Sequence, residues 1–349
     1  MEESVMKLDF DRKKVIICLI LSAVTIAAAV SVAIIKKSAS ASAREESVGK
    51  DMSAQGESRS FLLLGQDRAS GLTDVIMLAS INTHTRSVTV VQIPRDTYAR
   101  YTDGSYKKLN GAMSALGAGE LCKLLSRTMC VDIEGYCVFD LDALVKVVDA
   151  IGGVEIDLPF DMDYDDPYQG LSIHLKAGRQ TLDGKAAEQF VRYRAGYLRG
   201  DLGRMDAQKL FISAFIKKVT ESVTPSALIR IIGAVIGDVR TNLGIVDITR
   251  LAVTALGVKA ENMTMVTMAG SDIRASSRGA WYYVISKSAA VRVLNEFMGV
   301  DILPDDFDRE GLFMNPSNAE FQKIYDSDLP YYPINAAELE KNGIDIEKH

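Results

Sequence analysis

The sequence predicts an α/β fold, a mixed central sheet flanked by helices (an α-β-α sandwich) preceded by one transmembrane helix. Three observations predict it. Residues 15–35 carry no charge and are almost wholly apolar or small. Short β-rich apolar runs alternate downstream with segments of helical periodicity, the pattern of a sheet covered by helices. The runs at 75–81 and 88–93 are separated by Asn82-Thr83-His84-Thr85, a hairpin connection.

The apolar run at 15–35 would span roughly 30 Å as a helix, the thickness of a bilayer core. Arg12, Lys13 and Lys14 precede it, and Lys36 and Lys37 follow it. The cation bias places the N-terminus inside. The small-residue run at 38–43 offers a peptidase site, so a cleaved signal peptide is the alternative to the favoured uncleaved anchor. Residues 36–60 are small, polar and aperiodic, a flexible linker. The chain therefore divides into a cytoplasmic tail (1–14), a transmembrane helix (15–35), a linker (36–60), a folded domain (61–304) and a C-terminal extension (305–349). The net charge of −6 argues against a nucleic-acid surface, which needs a basic face.

Within the domain, residues 61–64 form a short apolar run ending at Gly65, a buried strand. A helix is expected at 120–129, a strand at 136–139, and a helix at 141–151 closed by Gly152-Gly153. A strand at 154–158 stops at Pro159. Helices follow at 183–191 and from Asp201, read as an N-cap, to about residue 223, before Pro225. A helix at 246–256, strands at 263–268 and 281–285, and a helix at 286–298 complete the pattern. The Pro- and Asp-rich tail from Asp305 reads as irregular. Of the four cysteines, Cys18 lies in the apolar run. Cys122 and Cys130 either pair or, with Cys137, are free buried thiols.

Two stretches concentrate charge. In the first, Asp67 and Arg95 each lie just beyond the carboxyl end of a strand, with Asp74 opening the strand between them. That rim is where α/β sheets usually bind ligands; mutual loop pairing is the plainer alternative. In the second, Arg192, Arg194, Arg199 and Arg204 fall within thirteen residues near a helix start. Cations are unfavourable there without an anion, and guanidinium forks suit phosphate oxygens. Salt bridges to Glu188, Asp201 and Asp206 would also neutralise them. A third stretch, residues 161–167, alternates aspartates like a calcium loop. It has Asp166 where the loop needs Gly and Ser172 where it needs Glu, so it reads as an exposed acidic turn.

These segments together resemble the LytR-CpsA-Psr family of cell-envelope proteins. The resemblance rests on FLLLGQD, TDVIMLASIN, VTVVQIPRDTY, KLNGA, VFDLDALVKVVDAIGGVEIDLPFDMDYDDP, LKAGRQTLDGKAAEQFVRYR and GDLGRMDAQKLF, in the family's order over residues 61–219. It implies an extracytoplasmic phosphotransferase, anchored in the cell membrane by one pass. The enzyme would move a glycopolymer (teichoic acid, capsule or another polysaccharide) from a polyprenyl-pyrophosphate carrier to peptidoglycan with the help of Mg²⁺. By motif position, Asp67 and Asp74 are implied as magnesium-side carboxylates. Arg95, Arg192, Arg194 and Arg204 would grip the pyrophosphate, with Asp201 in the same cluster and Lys108 and Asn110 nearby. Arg95, Asp74 and Asp201 are the implied catalytic residues. Many members carry Arg where Leu72 stands, and Arg68 is a candidate substitute. The lipid needs an apolar groove, for which Val138, Phe139, Leu144, Val145, Val148 and Ile151 are candidates, though their helical spacing also suits a core. Hydrolysis of the same carrier, or a non-catalytic regulatory or wall-binding role, are the competing functions.

Overall fold

The computed structural model of the chain describes residues 58–67, 70–82, 84–167, 171–222, 239–244, 258–275 and 279–342. The apolar run at 15–35, Arg68 and the helix expected at 246–256 lie outside them. Among the described residues no helix is long and apolar enough to cross a membrane.

The first three strands, β1 (Ser58–Gln66), β2 (Thr73–Asn82) and β3 (Ser87–Gln92), form an antiparallel meander. β1 takes in the last three residues of the expected linker, because Ser58, Arg59 and Ser60 pair with Asn82, Ile81 and Ser80. A short hairpin, β4 (Tyr98–Arg100) and β5 (Tyr106–Lys108), leads to α1 (Ala112–Leu116) and α2 (Ala118–Met129). β6 (Ile133–Asp140) runs directly into α3 (Leu141–Ala150), where the Asp140 carboxylate caps the helix by accepting from the Ala143 N–H at 2.9 Å. Four short strands follow: β7 (Val154–Leu158), β8 (Met162–Asp166), β9 (Leu171–Leu175) and β10 (Gly178–Leu182). Then come α4 (Gly184–Arg192), α5 (Asp201–Ser222), β11 (Arg240–Thr241), β12 (Met263–Thr267), β13 (Gly270–Arg274) and β14 (Trp281–Ile285). The chain closes with α6 (Lys287–Met298), α7 (Ala319–Tyr325), β15 (Ile334–Asn335) and α8 (Ala336–Asn342).

The central sheet has the order β11-β6-β1-β2-β3-β12-β15. It is mixed: β1 runs parallel to β6 and β3 parallel to β12, and the other neighbours are antiparallel. Strand alternation feeds two cores. Leu62, Leu64, Ile76, Leu78, Val91 and Val138 face α2, α6 and the tail. Phe61, Met77, Ala79, Ile81, Val88 and Val90 face α3, α4 and α5. Both faces are covered, which is why β1 reads as a continuous apolar run rather than an alternating one.

Two expectations change. The acidic stretch at 161–167 is strand, not turn: β8 pairs antiparallel with β9. Asp163 and Asp165 flank His174 across the ribbon at 3.2 and 3.3 Å, and Asp161 meets Lys176 at 3.0 Å. Cross-strand contacts of these aspartates with His174 and Lys176 stabilise as a ribbon what composition alone read as a loop. The tail is likewise ordered over residues 305–342. Phe307, Leu312, Phe313, Phe321 and Tyr325 enter one core, Ala336 and Leu339 enter the other, and β15 adds to the sheet edge. Buried Asp308 organises this segment by accepting from the N–H groups of Leu312, Phe313 and Met314 and from the Tyr325 hydroxyl. Cys122, Cys130 and Cys137 are all free thiols, so no Cys122–Cys130 bridge forms. Burial pushes the Cys122 thiol up to about 11.

The start of α4 lies against α3, where Gly184 donates its N–H to the Asp149 carboxylate at 2.7 Å. A Cβ at Gly184 would stand 2.2 Å from the Val145 carbonyl oxygen. Gly184→Ala therefore forces the two helices apart, and the expected cost is about 1–3 kcal/mol. Urea denaturation checks this; an unchanged midpoint would mean that the contact relaxes freely.

Candidate functional site

The pairing directions bring the carboxyl ends of β1, β3, β6 and β12 and the amino end of β2 to one rim. Asp67 follows β1, Asp74 is the second residue of β2, and Arg95 follows β3. The Asp67 turn is closed by two backbone bonds, Asp67 N–H to Leu72 O at 2.9 Å and Gly71 N–H to Asp67 O at 2.8 Å. Gly71 sits at φ +70, and the Ser70 hydroxyl donates to the Asp67 carboxylate at 3.0 Å. Leu72, at the position of the family arginine, is exposed.

Arg95 projects from a loop anchored from behind. Asn110 donates its backbone N–H to the Arg95 carbonyl at 3.0 Å, and Leu109 does the same to Thr97 at 2.8 Å. Buried Asn110 therefore supports the loop through its main chain. Lys108 pairs with Asp96 at 2.9 Å.

The Arg95 guanidinium hydrogen-bonds Asp74 and lies 3.4 Å from the Asp201 carboxylate. Asp201 in turn meets Arg204 at 3.0 Å and Arg194 at 3.9 Å. Asp201 is the first residue of α5 rather than its cap, and its side chain serves the arginines. Burial alone would raise the Asp201 pKa, but Arg204, Arg95 and Arg194 outweigh it and hold the carboxyl below its ordinary value. Conversely, burial would lower Arg95, and Asp201, Asp74 and Asp96 overcome it. One guanidinium hydrogen stays undonated: Arg95 Nε is buried and has no hydrogen-bond partner.

Arg95, Arg194 and Arg204 thus converge on one point, although Arg95 is distant in sequence. Arg192, at the end of α4, is held differently, by the buried Glu188 at 2.9 Å. Arg199 pairs with Asp206 at 3.2 Å. The acids named from the sequence as possible neutralisers, Glu188, Asp201 and Asp206, are all engaged.

Below the cluster a cavity of about 200 Å³ opens between the sheet and helices α3 and α5. Asp67, Asp74, Asp140, Arg192 and Arg204 belong to its lining, with Gln66 and Gln208, and the rest is apolar. Of the six groove candidates, Phe139 and Leu144 line it. Val138 points to the other face of the sheet, Val148 and Ile151 are packed in the core, and Val145 lies off the lining. The walls are instead alternate strand residues (Leu63; Val75, Met77, Ala79 and Ile81; Val88 and Val90) and Phe211, Ile212 and Phe215 of α5. Gln208, also missed, lines the cavity and bridges Gln92 at 3.0 Å and the Val191 carbonyl at 3.2 Å. The signal was available: 204, 208, 211, 212 and 215 form one helical stripe.

Among the described residues no group of three or more His, Cys, Asp or Glu side chains is placed to hold a metal ion. The rim carboxylates Asp67 and Asp74 are two donors.

Residues 24–298 match the LytR_cpsA_psr family, and the chain belongs to that family. Its curated relatives include TagV of Bacillus subtilis (strain 168), named a polyisoprenyl-teichoic acid–peptidoglycan teichoic acid transferase. TagV is 27% identical, over 61% of this chain and 56% of its own length, so the match spans little more than half of that relative. A TagU of Oceanobacillus iheyensis with the same activity in its name is 28% identical, over 68% of this chain and 75% of its own. The crystal structure of B. subtilis TagV superposes with a TM-score of 0.59 at 26% identity, covering 71% of this chain and 99% of that one. A structure described as TagT bound to LI-WTA has the same fold, with a TM-score of 0.56 at 23% identity over 72% of this chain and 94% of its own.

Arg204 is almost fully buried beside Asp201. Arg204→Ala removes the closest partner of Asp201 while Arg95 and Arg194 remain, so it should cost the weight of a charge-assisted hydrogen bond, about 1.5–3 kcal/mol. The folded Asp201 pKa is depressed, so its contribution is present above the ordinary carboxylate range and lost as pH falls through the folded value. The stability difference between wild type and Arg204→Ala should therefore shrink on acidification. Denaturation curves across that range check it; a gap that widens at low pH would contradict the pairing.

Proposed function

We propose that this chain is a membrane-anchored, extracytoplasmic phosphotransferase that moves a glycopolymer from a polyprenyl-pyrophosphate carrier to peptidoglycan. One observation carries the reading: an apolar cavity opens directly beneath a cluster of arginines and carboxylates. Such a site suits a molecule with a greasy chain and a doubly phosphorylated head. The cavity is smaller than the roughly 300–1,000 Å³ of sites that enclose a drug-sized ligand. It takes the head-proximal part of a lipid and leaves the rest outside. The names of the relatives TagV and TagU support the same substrate class.

The chain's own groups divide the work. Arg95, Arg194 and Arg204 receive the pyrophosphate oxygens through charge-assisted bonds. Arg192 holds the mouth of the cavity. As the bond to the leaving lipid phosphate breaks, negative charge gathers on its oxygen, and fixed guanidinium groups stabilise that charge without reorganising. Asp67 and Asp74 fit a Mg²⁺ site, because Mg²⁺ takes one or two carboxylates and completes its shell with phosphate oxygens and water. When bound, the ion would neutralise charge on the transferring phosphoryl group.

Arg194 is half exposed, so its loss should spare the fold. Arg194→Ala should weaken polyprenyl-pyrophosphate binding roughly ten- to hundredfold, the weight of one charge-assisted bond. Ile212→Trp should weaken it by filling the cavity, and Lys217→Ala should leave it unchanged. Asp74→Ala should abolish transfer of polymer to isolated peptidoglycan. Wild-type carrier affinity in both Arg194→Ala and Ile212→Trp would refute the reading; release of polymer to water with none transferred would make the enzyme a hydrolase.

The anchor at 15–35 with the domain outside predicts digestion by protease added to intact protoplasts. Full protection until lysis would place the domain on the other side.

A further inference from the structure

The motif segments named from the sequence end near residue 219; a ribbon later in the family match also meets the charged rim. β13 and β14 pair antiparallel, with Asp272 opposite Tyr283 and Arg274 opposite Trp281. Alternation puts these four residues on one face. The opposite face is pinned: Tyr282 packs edge-on against Tyr98 with ring centroids 5.0 Å apart, and Ile273 packs against the same core. The near end is docked on the arginine loop. Tyr283 donates its N–H to the Asp96 carbonyl at 2.9 Å and makes a parallel bridge with Thr97. Its hydroxyl donates to the Met268 carbonyl at 2.9 Å.

The free face thus starts beside Asp96 and leads outward. Asp272 is exposed, and among the described residues its carboxylate has no hydrogen-bond or ion-pair partner, unlike Asp96 and Asp201 near it. Farther along, Trp281 is 56% exposed, with the Arg274 guanidinium carbon 5.9 Å from its ring centroid. An exposed indole on the same face as a carboxylate that makes no ion pair leaves an aromatic plane and an acceptor open to a ligand. It suits a sugar, whose apolar ring face stacks on an aromatic plane while its hydroxyls meet polar groups.

Building on the phosphotransferase reading, we propose that this ribbon face is the acceptor subsite: Trp281 carries the ring of the acceptor glycan and Asp272 takes the proton from its attacking hydroxyl. The acceptor oxygen forms a bond to the polymer-side phosphorus. The bond from that phosphorus to the bridging oxygen breaks, and polyprenyl monophosphate leaves with the electron pair. The hydroxyl proton passes to Asp272 and then to solvent. Although Asp272 keeps accessible surface, the rim packed around it partly shields it from water; that shielding, then the carboxylates of Asp201 and Asp96, raise its pKa against the pull of Arg194 and Arg199, and Tyr283 and Arg274 share its ribbon face. That direction makes Asp272 a stronger base than an ordinary aspartate.

The test uses the full-length protein in detergent micelles, polyprenyl-pyrophosphate-linked polymer and isolated glycan strands. Carrier binding, transfer rate and acceptor dependence are measured for wild type, Asp272→Asn and Trp281→Ala. Asp272→Asn should lower kcat about 10²- to 10⁴-fold with carrier affinity unchanged. In wild type kcat should fall with pH through the Asp272 pKa, and the variant should lack that limb. Trp281→Ala should raise the acceptor KM roughly tenfold with carrier affinity unchanged. Wild-type kcat and pH profile in Asp272→Asn, or an unchanged acceptor KM in Trp281→Ala, would overturn the assignment of that residue. A wild-type protein that binds no carrier would overturn the phosphotransferase reading itself, and this inference with it.

Discussion

Three guanidinium groups repel one another when held within a few ångströms, and in this protein the Asp201 carboxylate lies among them. Arg95, Arg194 and Arg204 reach it from a strand-end loop, an inter-helix segment and a helix first turn. Each attraction offsets part of the cost of burying charge, and the depressed pKa of Asp201 reports the balance. The arrangement fixes the arginines before any anion arrives. It also leaves bonding capacity unused, since Arg95 Nε has no hydrogen-bond acceptor.

Everything around that carboxylate follows from sheet direction. A parallel pairing on each side of the meander sends four strand ends to one rim, so loops far apart in sequence share one edge. The same sheet buries both faces, but one is not sealed. Where α3 and α5 lie over β1, β2 and β3, the apolar side chains leave the cavity open toward the charged rim. A polar end and an apolar end of one site therefore arise from a single architectural fact: the rim is where the backbone leaves the sheet, and the face beneath it is where alternate side chains meet a helix.

The C-terminal segment has a structural role in this plan. Phe321 of α7 contacts Tyr98 and Tyr282 with ring centroids 4.3 and 6.0 Å apart, tying the β13–β14 ribbon to the β4–β5 hairpin that follows the arginine loop. Asp308, at φ +59, turns the chain so that Phe313 and Tyr325 can enter the core. The tail thus braces the outer wall of the rim, a function its Pro- and Asp-rich composition conceals.

The sequence by itself determined what depends on neighbours along the chain. Runs such as 75–81 and 88–93, the turn between them and the helix beginning at Asp201 are local facts, set by side-chain period and backbone bonding. The charged positions Asp67, Asp74, Arg95, Arg192, Arg194, Asp201 and Arg204 were named from strand ends, from the crowding of arginines near a helix start and from the family resemblance. Tertiary structure decided which of them meet: Arg192 went to Glu188 while Arg95 went to Asp201. It decided which apolar residues line the cavity and which fill the core, since Phe139 and Val138 differ only in the face of one strand they occupy. It also turned 161–167 from loop to ribbon and the tail from irregular chain to brace. The reason is the same in each case. Pairing across a sheet and packing between layers join residues that no sequence interval connects, and their energies are fixed only when the layers close.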